Sequence, residues 1–247
     1  MIEARIVLRR LAGLAFICLA SVAWAQTVTV TGRIELAGSA GKHKGENGSP
    51  SVVWLTPLGA SNPKGEGAFQ PSNPPPRLVQ KNKSFSPHLL VIPVGSSVEF
   101  PNHDPFFHNV FSLFEGKRFD LGLYEAGSAR LVQFDKPGIS YIFCNIHPEM
   151  SAVVIALTTK WYAISGASGQ VTIPDVPYGR YTLHAWNEHA LPEALQSVTR
   201  EVTISPDTRS IGLLHLTANP EPILAHKNKY GRDYDQPSPS SPIYPKQ

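Results

Sequence analysis

The run Cys144-Asn145-Ile146-His147-Pro148-Glu149-Met150 places a thiol, an imidazole and a thioether at intervals of three residues. The chain has two cysteines and two methionines. The others are Cys18 and Met1, both inside a leader-like N-terminus, so the sulfur ligands of the remaining chain fall in this one turn. Soft sulfur beside imidazole is a donor set for copper: two imidazoles and a thiolate near one plane, with a weak axial thioether. Zinc also takes cysteine and histidine, but a thioether is a poor zinc ligand. The second imidazole must come from elsewhere in the chain. Ligands of an ion that changes charge belong on a rigid frame, and the flanks supply one, since Ser140 to Phe143 and Ala152 to Leu157 both read as strands.

Further strands precede the turn at Leu89 to Ile92, Ser97 to Phe100, Asn109 to Phe111 and Arg130 to Phe134. Val94-Gly95 and Lys136-Pro137-Gly138 supply the turns between them. Short strands at regular spacing predict an all-β sandwich or barrel. No long stretch has helical periodicity. Phe100, Phe106, Phe107, Phe111, Tyr141 and Phe143 are candidates for a dry aromatic shell around the ion.

The second imidazole is expected in Phe100-Pro101-Asn102-His103-Asp104-Pro105-Phe106-Phe107-His108-Asn109-Val110. Here the sequence resembles the plastocyanin-like cupredoxins. They share a strand ending in Phe-x-Asn-x-Asp, then a copper histidine followed by Asn-Val, and later a Cys-x-x-His-x-x-Met loop. The short spacing before the methionine is most like the amicyanin branch. The resemblance covers residues 78–158 and implies a Greek-key β-sandwich holding one type 1 copper ion. It also implies His108, Cys144, His147 and Met150 as the ligands, with Asn109 tying the two ligand-bearing loops together through hydrogen bonds. His103 is the competitor of His108, which is preferred because it precedes Asn-Val.

Residues 1–25 read as a secretory signal: Arg5, Arg9 and Arg10, an apolar run from Leu11 to Val22, then Ala23-Trp24-Ala25. An uncleaved anchor is the alternative, although the run is short for a membrane span. The chain is 247 residues with a formal charge of +3, and losing residues 1–25 removes three arginines and Glu3 to leave +1. Such a balance gives no reason to expect nucleic acid as a partner. Export to the periplasm or beyond the cell is expected, without stable membrane insertion after cleavage. A single cysteine in an oxidising compartment has no internal disulfide partner, and coordination would protect it.

A second β pattern surrounds the first. Thr27 to Leu36 alternates cleanly, with Gly32 a candidate bulge, and Val52 to Leu55 is another strand. After Thr159, Ser168-Gly169 is expected to turn a hairpin between Tyr162 to Ile164 and Gln170 to Ile173. Strands are also expected at Arg180 to Trp186, Ser197 to Ile204 and Arg209 to Leu216. The stretch from Gly169 to Leu183, with Val176-Pro177-Tyr178-Gly179 followed by Tyr181-Thr182-Leu183, resembles the carboxypeptidase-regulatory, transthyretin-like β-sandwiches. This implies a discontinuous domain, 27–60 plus 160–218, around an inserted cupredoxin; tandem domains are the simpler alternative. Residues 61–77 read as a Pro/Gly linker and residues 226–247 as a disordered tail.

His184-Ala185-Trp186-Asn187-Glu188-His189 is expected to be an edge strand with a packed tryptophan, not a second metal site. No Ser-His-Asp set, phosphate loop or carboxylate pair stands out, so the chain is not expected to be an enzyme. Three functions remain open: a blue-copper electron carrier serving unidentified redox partners, a non-redox copper-binding or delivery protein, and a surface or carbohydrate-binding β module with a structural metal.

Overall fold

The computed structural model describes residues 26–38, 49–59, 69–113, 115–219 and 227–234. The expected signal peptide lies outside them. The elements begin with β1 (Thr27–Ala37), β2 (Val52–Pro57), β3 (Val79–Lys81), β4 (Ser84–Ser86), β5 (Leu89–Pro93) and β6 (Ser97–Pro101). Next come β7 (His108–Ser112), β8 (Phe119–Tyr124), β9 (Ala129–Gln133), β10 (Gly138–Cys144), β11 (Ser151–Leu157) and β12 (Tyr162–Ile164). The last are β13 (Gln170–Pro177), β14 (Gly179–Trp186), the helix α1 (Pro192–Val198), β15 (Arg200–Ile204) and β16 (Ser210–Thr217). The fold class is all-β, as the strand spacing predicts.

Strands β1 and β2 pair with strands that follow residue 160. One sheet runs β13-β1-β16 and another β12-β2-β14-β15. Their inward residues, among them Val30, Ile34, Val53, Leu55, Ile173, Leu183 and Leu214, form one buried core. Gly32 marks a register shift in the β1–β16 pairing, between Thr31 and Arg33. A Cβ there would lie 2.6 Å from the Ile211 side chain, so the close approach of β16 requires glycine.

Between these pieces, residues 78–157 build a five-stranded sheet, β5-β11-β10-β7-β8, with the β6–β9 and β3–β4 pairs. Leu78, Val98, Phe100, Phe134, Ile142 and Val154 lie in its core together with Cys144 and Met150. Strand β11 is buried on both faces. Ala152, Val154 and Ala156 enter that core, whereas Val153, Ile155 and Leu157 meet Val52 and Trp186 of the other sandwich. Period-two alternation makes one strand the wall of two interiors. Each Val, Leu or Ile side chain buried there contributes about 1.5–3 kcal/mol.

Four expectations need correction. Ser168-Gly169 does not close a hairpin: β12 pairs with β2, and β13 crosses to β1 in the other sheet. Gly169 holds φ +76° against the Ile34 carbonyl, where a Cβ would come within 2.2 Å, so the turn docks on β1. Ser197 and Val198 belong to α1, which Pro192 opens, and the strand starts only at Arg200. Strand β14 lies between β2 and β15 and is not an edge. Residues 227–234 of the expected disordered tail bond to the end of β10 and the turn after it: Lys229 N–H donates to Asn145 Oδ1, and Tyr234 OH to the Cys144 carbonyl. The tail's poverty in apolar residues is real, but these anchors are polar. Of the expected linker, residues 69–77 are described; the Phe69 ring lies tilted beside Tyr162, centroids 5.4 Å apart, and Arg77 bonds Glu99 at 2.7 Å.

Candidate metal centre

Strands β7 and β10 are antiparallel neighbours, with Cys144 opposite Val110 and Phe143 opposite Phe111. The pairing brings His108, at the start of β7, beside Cys144, at the end of β10. The turn from Cys144 to Met150 then folds back into β11. Its neck is closed by Cys144 N–H to the Met150 carbonyl (3.3 Å), and Met150 N–H donates to the His147 carbonyl (3.1 Å). Asn145 N–H reaches across to the Asn109 carbonyl at 2.8 Å. Two strand ends and one turn thus converge on a small volume.

Cys144 Sγ lies 3.6 Å from His108 Nδ1 and 3.6 Å from His147 Nδ1, and the two Nδ1 atoms are 3.2 Å apart. All three residues are buried. The centre of that triangle is about 2.0 Å from each corner, which matches a metal–imidazole bond and falls slightly below the roughly 2.3 Å of a metal–thiolate bond. The site therefore fits a small transition-metal ion held by His108, Cys144 and His147. Met150 is fully buried in the same core as Cys144. His103 is exposed and lies outside the triangle, and its N–H donates to the Gln80 carbonyl.

A residue that the sequence did not single out sets the orientation of His108. Its Nε2 lies 2.9 Å from Asp104 Oδ2. An ionised carboxylate only accepts, so Nε2 carries the proton and the lone pair of Nδ1 faces the other donors. Asp104 also accepts the backbone N–H groups of Asn82 (2.6 Å) and Lys83 (3.0 Å). Burial alone would raise its carboxyl, but the Lys83 N–H, His108 and the Asn82 N–H hold it below the ordinary value. The signal was present in the sequence: a carboxylate four residues ahead of a candidate ligand.

The titrations follow from burial. Desolvation pushes the His147 imidazole down to about 4, with His108 adding to the effect. Desolvation also lowers His108, and Asp104 pulls it part of the way back. The Cys144 thiol is raised by burial, against the opposing pull of the Asn109, Ile146 and His147 N–H groups. Near neutral pH these shifts leave two neutral imidazoles and one thiol at the triangle's corners.

The expected aromatic shell is partly present. Phe100, Phe111 and Phe143 are buried, and Phe106 packs on both imidazoles, with centroids 5.3 Å from His108 and 5.4 Å from His147. Phe107 is 49% exposed, and Tyr141 belongs to the interface with Trp186. Asn109 bridges through its backbone, whereas its side-chain amide donates to Asp120 Oδ1 at 2.7 Å. In the other sandwich His184 stacks on Trp54, and Glu188 Oε2 meets His88 Nε2 at 2.7 Å. Trp186 is 2% exposed and has no face for a ligand.

No protein-family model matches the chain, and no curated protein matches it. Among solved structures it is similar to a purple cupredoxin from Nitrosopumilus maritimus at 24% identity, over 33% of this chain and 99% of that one, with a TM-score of 0.31. It is similar to amicyanin from Paracoccus versutus at 21% identity, over 35% and 84%, with a TM-score of 0.32. A copper-containing nitrite reductase from Thermus scotoductus SA-01 shows 26% identity over 41% of this chain, with a TM-score of 0.33; the chain spans 25% of that protein's length.

Proposed function

We propose that this protein is an exported type 1 copper protein that carries single electrons between redox partners and is not itself an enzyme. The observation that carries the reading is the buried triangle of His108 Nδ1, Cys144 Sγ and His147 Nδ1, with Met150 in the same turn. When bound, copper supplies one-electron chemistry. The chain's part is to keep the donors nearly fixed in either oxidation state. Asp104 locks the tautomer of His108, two strands fix the thiolate, and Phe106 excludes water from the imidazole faces. His147 comes closest to the surface at Ile146 and Pro148, both exposed, and that apolar rim is where a partner would dock. The outer sandwich, transthyretin-like in the sequence of β13 and β14, covers the far face of the ligand-bearing sheet.

Copper(II) added to the purified mature protein should give an intense blue thiolate charge-transfer band, and Cys144→Ser should abolish it. A colourless wild-type protein would sink the proposal. Bound copper should also survive repeated reduction and oxidation beside a competing chelator. Loss of the metal at each reduction would move the assignment to copper delivery.

A further inference from the structure

The segment 227–234 carries a structure of its own that the proposed site does not require on sequence grounds. Asn228 Oδ1 accepts the N–H groups of Tyr230 (3.0 Å) and Arg232 (3.1 Å), and its carbonyl accepts that of Gly231 (2.9 Å). The result is a pre-formed turn. Three anchors fix it to the metal centre. Tyr234 OH donates to the Cys144 carbonyl at 2.8 Å, and Lys229 N–H to Asn145 Oδ1 at 2.9 Å. Lys229 Nζ donates to Asp120 Oδ2 at 2.8 Å, while the other Asp120 oxygen accepts from Asn109. Asn109 follows the ligand His108, and its carbonyl accepts Asn145 N–H. The anchors therefore close a ring of polar contacts around both ligand-bearing elements.

We infer that residues 227–234 form a built-in clasp on the ligand turn, with Lys229 and Tyr234 as positioning residues that hold Cys144-Asn145 against Asn109. Its metal-holding role rests on the copper reading above; its structural role does not. The clasp would keep the cysteine backbone and the two strand ends from separating whichever oxidation state a bound ion held. The neutral Tyr234 hydrogen bond is worth about 1 kcal/mol, or about fivefold in an opening equilibrium, and the solvent-accessible Lys229–Asp120 pair at most about the same.

The test uses the full chain with Tyr234→Phe, Lys229→Met and, as a rescue, Lys229→Arg, which keeps the ion pair. In the metal-free protein, amide exchange at Asn145 and Met150 should accelerate about fivefold in the first two variants and return toward the parent rate in the third. In the copper-loaded protein, release of the reduced ion to a chelator should accelerate by a similar factor, and the thiolate band should shift although copper(II) still binds. Exchange rates equal to the parent in both Tyr234→Phe and Lys229→Met would overturn the clasp, whatever the metal data show. A parent with no thiolate band would refute the copper reading and the metal-holding half together, while the exchange arm still decides the structural half. A change in exchange with unaltered metal release and spectrum would refute the metal-holding half alone.

Discussion

Replacing Asp104 by Asn removes one negative charge from the partner of His108 and leaves the shape of the side chain almost unchanged. The carboxylate is 4% exposed and accepts three hydrogen bonds, from His108 Nε2, Asn82 N–H and Lys83 N–H. An amide oxygen can replace some of that acceptance, but not its charge. Loss of a carboxylate behind a metal-bound histidine typically costs 10–100-fold in metal affinity. The cupric ion, with the greater charge, loses more than the cuprous ion. If the whole loss fell on the oxidised state, the reduction potential would rise by about 60–120 mV, at 59 mV per tenfold for one electron. That range is an upper bound, and a rise of a few tens of mV is the expected outcome. Spectroelectrochemical titration measures the midpoint, and chelator competition measures the affinity. Thermal unfolding of the metal-free variant separates the effect from lost anchoring of Asn82 and Lys83, which should cost about 1–3 kcal/mol. A midpoint and a copper(II) affinity both equal to the parent's would refute the orienting role of Asp104.

Four further outcomes are expected. At pH 7 the imidazoles are neutral, with His147 down at about 4, and the thiol is protonated; metal binding should therefore release one proton, from Cys144, and calorimetry in buffers of different ionisation enthalpy will count it. The His88–Glu188 pair, in which the Glu188 hydrogen bond raises His88 and in which burial raises Glu188 but His88, His189 and Ser49 together hold it below its ordinary value, has a definite pH window. Its full contribution lies between the ordinary values of 4.5 for glutamate and 6.5 for histidine, and fades as pH rises through the raised value of His88 or falls through the lowered value of Glu188. Denaturant midpoints of wild type and His88→Gln should accordingly differ most between those two ordinary values, with the gap narrowing as pH rises through the raised value of His88. Trp186→Ala should destabilise by about 3–5 kcal/mol in chemical denaturation, since it empties the contact with Val153, Ile155 and Leu157. Gly169→Ala, facing the Ile34 carbonyl at φ +76°, should cost about 1–3 kcal/mol by the same measurement.

The ligand turn was legible because its chemistry is local. Three side chains in seven residues declare a donor set without reference to the fold, and the flanking alternation declares the hairpin that carries them. His108 was separable from His103 by the motif around it, and the structure brings His108 alone to the triangle. The partners of those ligands are a different matter. Asp120 and Lys229 are 109 positions apart, and Tyr234 is 90 from Cys144; no periodicity reports such a pairing. Strand β8 went unread although Phe119, Leu121 and Leu123 alternate with Asp120 and Gly122; what the sequence does not report is the shift in its pairing with β7, next to Gly122 at φ +65°. The role of Trp186 was half legible: a packed tryptophan was expected, but the second sheet it touches follows only from the tertiary arrangement.

Strand β11 has a consequence for how this gene can be taken apart. A reading frame trimmed to residues 78–158 would keep all four candidate ligands and yet turn Val153, Ile155 and Leu157 out into water as a bare hydrophobic sheet face. Such a fragment should precipitate or associate, so a loss of metal binding in it would not measure what residues 227–234 contribute. A stand-alone form of residues 78–158 therefore needs polar side chains at Val153, Ile155 and Leu157, three changes that leave every candidate ligand in place.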